Sequence, residues 1–107
     1  MEEYRGGNWS TVTLPPAGSN WTDLWGVTSS PSQVWAAGTF VDPTSGNNET
    51  LLLQGNDAGW KVVDAPNPGS GSNILGGIAA VSGQVWAVGL YDQGDSNLTL
   101  TESHSQT

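Results

Sequence analysis

The chain has 107 residues and a formal charge of −8, with two basic residues against ten acidic ones. This charge repels phosphate backbones and anionic lipid surfaces, so neither nucleic acid nor membrane is expected as a partner. The absence of cysteine excludes a disulfide framework and a thiolate metal site, whereas six tryptophans and fifteen glycines favour turn-rich sheets over helices.

Short segments rich in Val, Leu, Trp and Thr, each bounded by Pro, Gly, Asn or Asp, follow one another along the whole chain. This pattern is typical of β-strands, and no stretch with helical periodicity competes with it. In chain order, it predicts strands at residues 9–15, 23–28, 34–41, 50–54, 60–66, 74–81, 85–92 and 98–102. The opening residues 3–9 resemble the end of one further strand that runs into the first of these.

The strands belong to an internal repeat, which becomes visible when the sequence is compared with itself at an offset of 51 residues. The register runs without a gap across residues 9–40, and twelve positions are identical. The identical pairs are Trp9/Trp60, Val12/Val63, Pro15/Pro66, Gly18/Gly69, Ser19/Ser70, Leu24/Leu75, Gly26/Gly77, Gln33/Gln84, Val34/Val85, Trp35/Trp86, Ala36/Ala87 and Gly38/Gly89. The repeats span about 9–59 and 60–107, each with four predicted strands.

The strands within a repeat differ in their polarity pattern. Segments 34–40 and 85–91 are mostly apolar at both odd and even positions, so both of their faces must be covered, whereas residues 97–101 alternate polar and apolar as a strand near a rim would. A sheet with a two-faced interior and a wetter edge is expected to stack between similar neighbours.

The run Leu-Gly-Gly-Ile-Ala-Ala-Val at 75–81, followed by Gln-Val-Trp-Ala-Val-Gly at 84–89, resembles bacterial Trp-rich, kelch-like β-propeller blade repeats. The resemblance implies an all-β fold, a β-propeller built of four-stranded blades, with two blades in residues 1–107. It also implies that the Gly/Ala-rich strand is innermost, the Val-Trp-Ala strand second, a Thr-Leu strand third and the strand opening with Trp outermost.

Two blades cannot close a propeller, since four to eight are typical. We therefore expect the chain to assemble with copies of itself, as a trimer for six blades or a tetramer for eight, with the N-terminal strand completing the last blade across the chain boundary. The residues expected at this assembly interface are Trp9, Val12 and Leu14 on the donated strand, and Leu98 and Leu100 on the receiving strand. A piece of a longer propeller, natural or engineered, is the alternative.

Catalysis is not expected, because the single histidine, His104, and the lack of cysteine leave no triad to assemble. No cofactor is indicated. Two acidic loops, around Asp42 and around Asp92, contain oxygen ligands that suit calcium, but their spacing departs from an EF-hand loop, and solvated turns account for them better.

Four tryptophans recur at the repeat offset and are expected to pack between blades: Trp9, Trp35, Trp60 and Trp86. Trp21 and Trp25 do not recur, because Ser72 and Gly76 stand opposite them in the second repeat. These two indoles are the candidates for ligand contact, and a lectin-like carbohydrate-binding propeller is the alternative function.

The longest largely apolar segment, residues 74–81, is far shorter than the roughly 20 residues of a membrane-spanning helix. The N-terminus begins acidic and lacks the basic and then apolar layout of a secretory signal. We therefore expect neither a membrane span nor a signal peptide in this chain, and its compartment is left open.

Overall fold

The computed structural model describes residues 2–11, 22–31, 33–56, 59–63 and 65–105, and these residues form β-strands and turns without a helix. The strands are β1 (Glu2–Arg5), β2 (Asn8–Thr11), β3 (Thr22–Ser29), β4 (Val34–Val41), β5 (Asn48–Asn56), β6 (Gly59–Val63), β7 (Asn73–Val81), β8 (Gln84–Gln93) and β9 (Ser96–Ser105). The all-β class expected from the sequence is confirmed.

All strand pairs are antiparallel, and they form two sheets and one hairpin. The first sheet has the order β3-β4-β5-β6, the second has the order β7-β8-β9, and β1 pairs with β2. Each predicted strand overlaps an observed one, although β5 and β9 are longer than predicted and β6 ends at Val63. The strand that begins near Trp60 belongs to the first sheet, and the described part of the second sheet has three strands.

The repeat seen in the sequence is also a repeat of strand pairing. Thr28 lies opposite Trp35 in the first sheet and Ala79 lies opposite Trp86 in the second, which is the same pairing at an offset of 51 residues. Both sheets also have a β-bulge at the same place, between Leu24 and Gly26 and between Leu75 and Gly77. The inner two strands of the sheets are therefore equivalent residue by residue.

The third strands are equivalent at an offset of 49 residues instead. Trp35 pairs with Gln54 and Trp86 pairs with Ser103, because the connection that leads into β9 is two residues shorter than the one that leads into β5. This deletion explains why the identities at offset 51 stop at Gly89.

Two of those identities have a direct steric cause. A Cβ atom on Gly38 would lie 1.9 Å from the carbonyl oxygen of Asp23, and one on Gly89 would lie 1.9 Å from that of Ile74. The neighbouring strand therefore approaches too closely for any side chain, and only glycine is accommodated at this point of each sheet.

The two sheets pack face to face over an apolar core. The buried core residues are Trp35, Ala37 and Leu52 from the first sheet and Leu75, Val85, Ala87 and Leu100 from the second. Two hydrogen bonds cross between the sheets: Thr39 Oγ1 donates to the carbonyl oxygen of Asn73 at 3.4 Å, and the Ala80 amide donates to Thr28 Oγ1 at 3.2 Å. A smaller cluster, Ala36, Leu51 and Leu53, lies on the opposite face of the first sheet.

The segment that leads from β6 to β7 is held by side-chain hydrogen bonds at one end of the sheets. The buried Asn73 accepts a hydrogen bond from the Gly69 amide at 2.7 Å and donates to the carbonyl oxygens of Gly69 and Gly71 at 3.2 and 3.4 Å. Asn67 Oδ1 accepts from the Thr50 amide at 2.7 Å, which anchors the same segment to β5. These contacts fix the position at which the second sheet begins.

Candidate assembly surface

Trp35 occupies the centre of the contact between the two sheets. It lies on β4 and is 0% exposed, and its indole contacts the imidazole of His104 on β9 edge to face, with 5.5 Å between the ring centroids. An aromatic side chain of this size is one of the largest contributions that a single residue makes to such an interface. The inter-sheet role expected of Trp35 from the sequence agrees with this placement.

Trp86 has the same position in the second sheet but a different environment. It lies on β8, opposite Ala79 as Trp35 lies opposite Thr28, and it is 43% exposed. Its neighbours Val85 and Ala87 are buried in the inter-sheet core, so Trp86 is on the other face of its sheet. That face bears further exposed apolar side chains, and we call Val81, Trp86, Val88 and Leu90 the outer apolar face.

A complementary difference exists on the other side of the contact. Ile78 on β7 packs against the inter-sheet core, and its equivalent in the first sheet, Val27, is exposed. The interface between the sheets therefore has two halves, one centred on Trp35 and one that includes Ile78. The equivalent of each half, at Trp86 and at Val27, is exposed at the opposite ends of the two-sheet stack.

The edge of the second sheet at β9 is the place where the sequence predicts that a donated strand is received. Leu98, near the start of β9, is 41% exposed, whereas Leu100 is 6% exposed and belongs to the inter-sheet core of its own chain. On the predicted donor strand, Trp9 is exposed on β2, and Val12 and Leu14 lie outside the described residues.

The hairpin β1–β2 has the same pairing as β5–β6. Tyr4 lies opposite Trp9 and Gly55 lies opposite Trp60, which is again an offset of 51 residues. The hairpin thus repeats the outer edge of the first sheet, and it supplies the type of strand that follows β5 and that β9 lacks within the described residues.

Trp25, the candidate ligand contact, lies in the β-bulge of β3 and is 62% exposed. It borders an open cavity of about 380 Å³ that is also lined by Glu2, Leu24, Val27 and Ala36. Its counterpart Trp21 lies outside the described residues, so the structure does not bring the two indoles together. The cavity offers one aromatic surface and one carboxylate.

The acidic loop around Asp42 is a turn held by its own side chains. The Asp42 carboxylate accepts hydrogen bonds from the Thr44 amide at 3.0 Å and from Ser45 Oγ at 3.2 Å. Burial and the neighbouring Asp42 charge raise the pKa of Glu49. Among the described residues, no three His, Cys, Asp or Glu side chains are grouped so that they could hold a metal ion.

Glu102 is the one buried acid of the inter-sheet contact, and sequence reasoning assigned it no role. It is 9% exposed on β9, and burial raises its pKa to about 7. The signal that could have found it is the alignment of β9 with β5 at an offset of 49 residues, which places Glu102 opposite Leu53. The offset of 51 hides this contrast.

Comparison of the chain with protein-family models, with curated proteins and with solved structures gives no match. The part of the chain that the structure describes contains no helix that could cross a membrane.

Proposed function

We propose that this protein is a non-catalytic β-propeller repeat protein whose copies assemble head to tail into a closed ring that serves as a structural or binding scaffold. The observation that carries the proposal is the pair Trp35 and Trp86. The two residues are equivalent in pairing, yet the first is covered by the next sheet of the same chain and the second is exposed. A second copy would cover Trp86 in the way that the second sheet covers Trp35.

The exposed surfaces at the two ends of the stack support a head-to-tail contact. The outer apolar face would receive the side of the first sheet that bears Val27, because Val27 stands where Ile78 packs in the contact within the chain. Since the two surfaces are different, the contact is heterologous, and it closes into a ring when the rotation per copy permits. A trimer would have six blades and a tetramer eight.

The strand edges support exchange between copies. In a ring, β2 of one copy would pair with β9 of the next, as β6 pairs with β5 within the first sheet. The pairing of Gln54 with Lys61 then predicts that Ser10 lies opposite Ser103 of the neighbouring copy. Within a single chain, Ser10 lies opposite Glu3 instead. An open strand edge is a template for such pairing, and exchange would satisfy it.

The mass of the purified chain tests the assembly. Native mass spectrometry combined with light scattering is expected to give a single trimer or a single tetramer. A monomer, or a broad distribution of masses, would contradict the ring and would favour a piece of a longer propeller.

Disulfide trapping tests the strand exchange, and the absence of cysteine from the chain makes the result unambiguous. The double variant Ser10→Cys with Ser103→Cys is expected to form covalent multimers on mild oxidation, because antiparallel partners bring their Cα atoms within disulfide range. Ser10→Cys with Thr101→Cys is the control that is out of register. Efficient intrachain bonding of Glu3→Cys with Ser10→Cys, without multimers of the first variant, would show that the hairpin is retained and no strand is exchanged.

A lectin-like ring is the second candidate function, and the exposure of Trp25 beside its cavity favours it. Indole faces stack on the apolar faces of sugar rings, and Glu2 could accept hydrogen bonds from hydroxyl groups. Saturable quenching of tryptophan fluorescence by a sugar, lost in Trp25→Ala, would support this candidate. Quenching that is unchanged in the variant would exclude Trp25 from the site.

A further inference from the structure

Glu102 lies in the apolar contact between the two sheets, where a carboxylate is not expected. Both of its carboxyl oxygens are buried, and neither has a hydrogen-bond partner in the structure. The side chain borders a cavity of about 20 Å³ whose other lining includes Leu52, Pro66, Val85 and Ala87. This space is no larger than about one water molecule requires.

The fold does not require an acid at this position. The equivalent residue of the first sheet, Leu53, is completely buried in an apolar cluster. Leucine therefore satisfies the backbone geometry of this strand, and the carboxyl group of Glu102 is a property of this one contact.

The surroundings of Glu102 offer no charge that would offset its ionisation directly. Its neighbour across the strand pair is Ala87, and the residues that face it from the first sheet and the following segment are Leu52, Ala65 and Pro66. His104, two residues further along β9, is the other titratable side chain that lines the cavity. Moving an ionised carboxylate from water into such surroundings is costly, so the neutral acid is the favoured form.

We propose that Glu102 is a proton-operated latch of the contact between the two sheets. When it is protonated, the sheets pack closely around a neutral side chain. When it loses its proton, a charge stands in the apolar contact, and the sheets separate more easily. The latch acts within a single chain, so it does not depend on ring assembly.

The direction of the pH dependence follows from proton linkage. Burial holds the pKa of Glu102 at about 7 in the folded chain, above its ordinary value of 4.5, so between these values the folded state binds more protons than the unfolded state. Stability is therefore highest below about pH 4.5, falls as the pH rises and levels off above about pH 7. Between pH 5.5 and 8.5, this difference corresponds to a roughly 30-fold rise in the unfolding equilibrium constant.

Urea unfolding of the full chain at a series of pH values tests the latch. Glu102→Gln keeps the shape and removes the titration, so the wild-type fall in stability between pH 5.5 and 8.5 is expected to disappear. Asp95→Asn, at an exposed turn, is the matched control and is expected to retain the fall. His104→Asn separates any contribution of the second titratable group.

Two further measurements keep the test decisive if the glutamine variant folds poorly. Glu102→Leu copies the residue at the equivalent position and is expected to fold with a stability that does not depend on pH in this range. The ¹³C chemical shift of the Glu102 carboxyl carbon, followed by NMR in the wild-type chain, is expected to titrate near pH 7. Titration in the ordinary range of an exposed glutamate, or an undiminished pH dependence in Glu102→Gln, would overturn the proposal.

Discussion

The most informative perturbation of the assembly is Trp86→Glu, because Trp86 is the exposed equivalent of the fully buried Trp35. An exposure of 43% leaves about 100 Å² of the indole accessible. Covering this area in a sheet-to-sheet contact would contribute about 2.5 kcal/mol, at about 25 cal/mol per Å². The substitution removes this contribution and adds a carboxylate that must be desolvated, so each interface is expected to weaken by at least about 70-fold.

Light scattering over a dilution series measures the effect. The wild-type chain is expected to keep one discrete mass on dilution, and Trp86→Glu is expected to dissociate to monomers. Gln93→Glu adds the same charge at the exposed end of the same strand and is the control, with the wild-type mass expected. Circular dichroism of the monomer checks that the sheets remain folded. If Trp86→Glu retains the wild-type mass at every dilution, the reasoning from Trp35 to Trp86 is refuted.

Three further outcomes are expected from the same structure. Gly38→Ala should destabilise the fold by more than about 3 kcal/mol in urea titrations, because the new Cβ meets the Asp23 carbonyl oxygen, whereas Gly76→Ala, with nothing within 4 Å, should be nearly neutral; equal effects would contradict this account. Asn73→Ala should cost about 2–3 kcal/mol, since it leaves the Gly69 amide without its acceptor, and exposed Asn97→Ala should not, as thermal denaturation can show. Deletion of residues 1–15 should abolish the discrete oligomer, and an unchanged mass would rule out exchange of the N-terminal strand.

Much of the strand layout could be predicted because the relevant signals are local. Apolar segments bounded by turn residues located eight of the nine strands, and the identities at offset 51 anticipated the shared β-bulge and the shared glycine at the close approach of the inner strands. The strand β1 was anticipated only as the end of a preceding strand, because residues 2–5 are short and polar. Local pattern is sufficient where each residue's own backbone requirement determines its type.

The candidate site depended on information that the local pattern lacks. Trp35 and Trp86 are identical in residue type and in strand position, so sequence alone assigned them the same packing role, and only the stacking order of the sheets separates a covered indole from an exposed one. Leu100 reads as a residue of the receiving edge, yet it is buried within its own chain because β9 turns that face toward the first sheet.

Glu102 illustrates the same division. Its residue type was visible from the start, but its meaning depended on a two-residue deletion before β9 and on the approach of Leu52 and Pro66 from distant parts of the chain. The sequence by itself determined the strands, their repeat and their glycines, because these follow from hydrophobic spacing and backbone sterics. Only the tertiary structure decided which faces are buried and which acid is desolvated, since burial is a property of the neighbours and not of the residue.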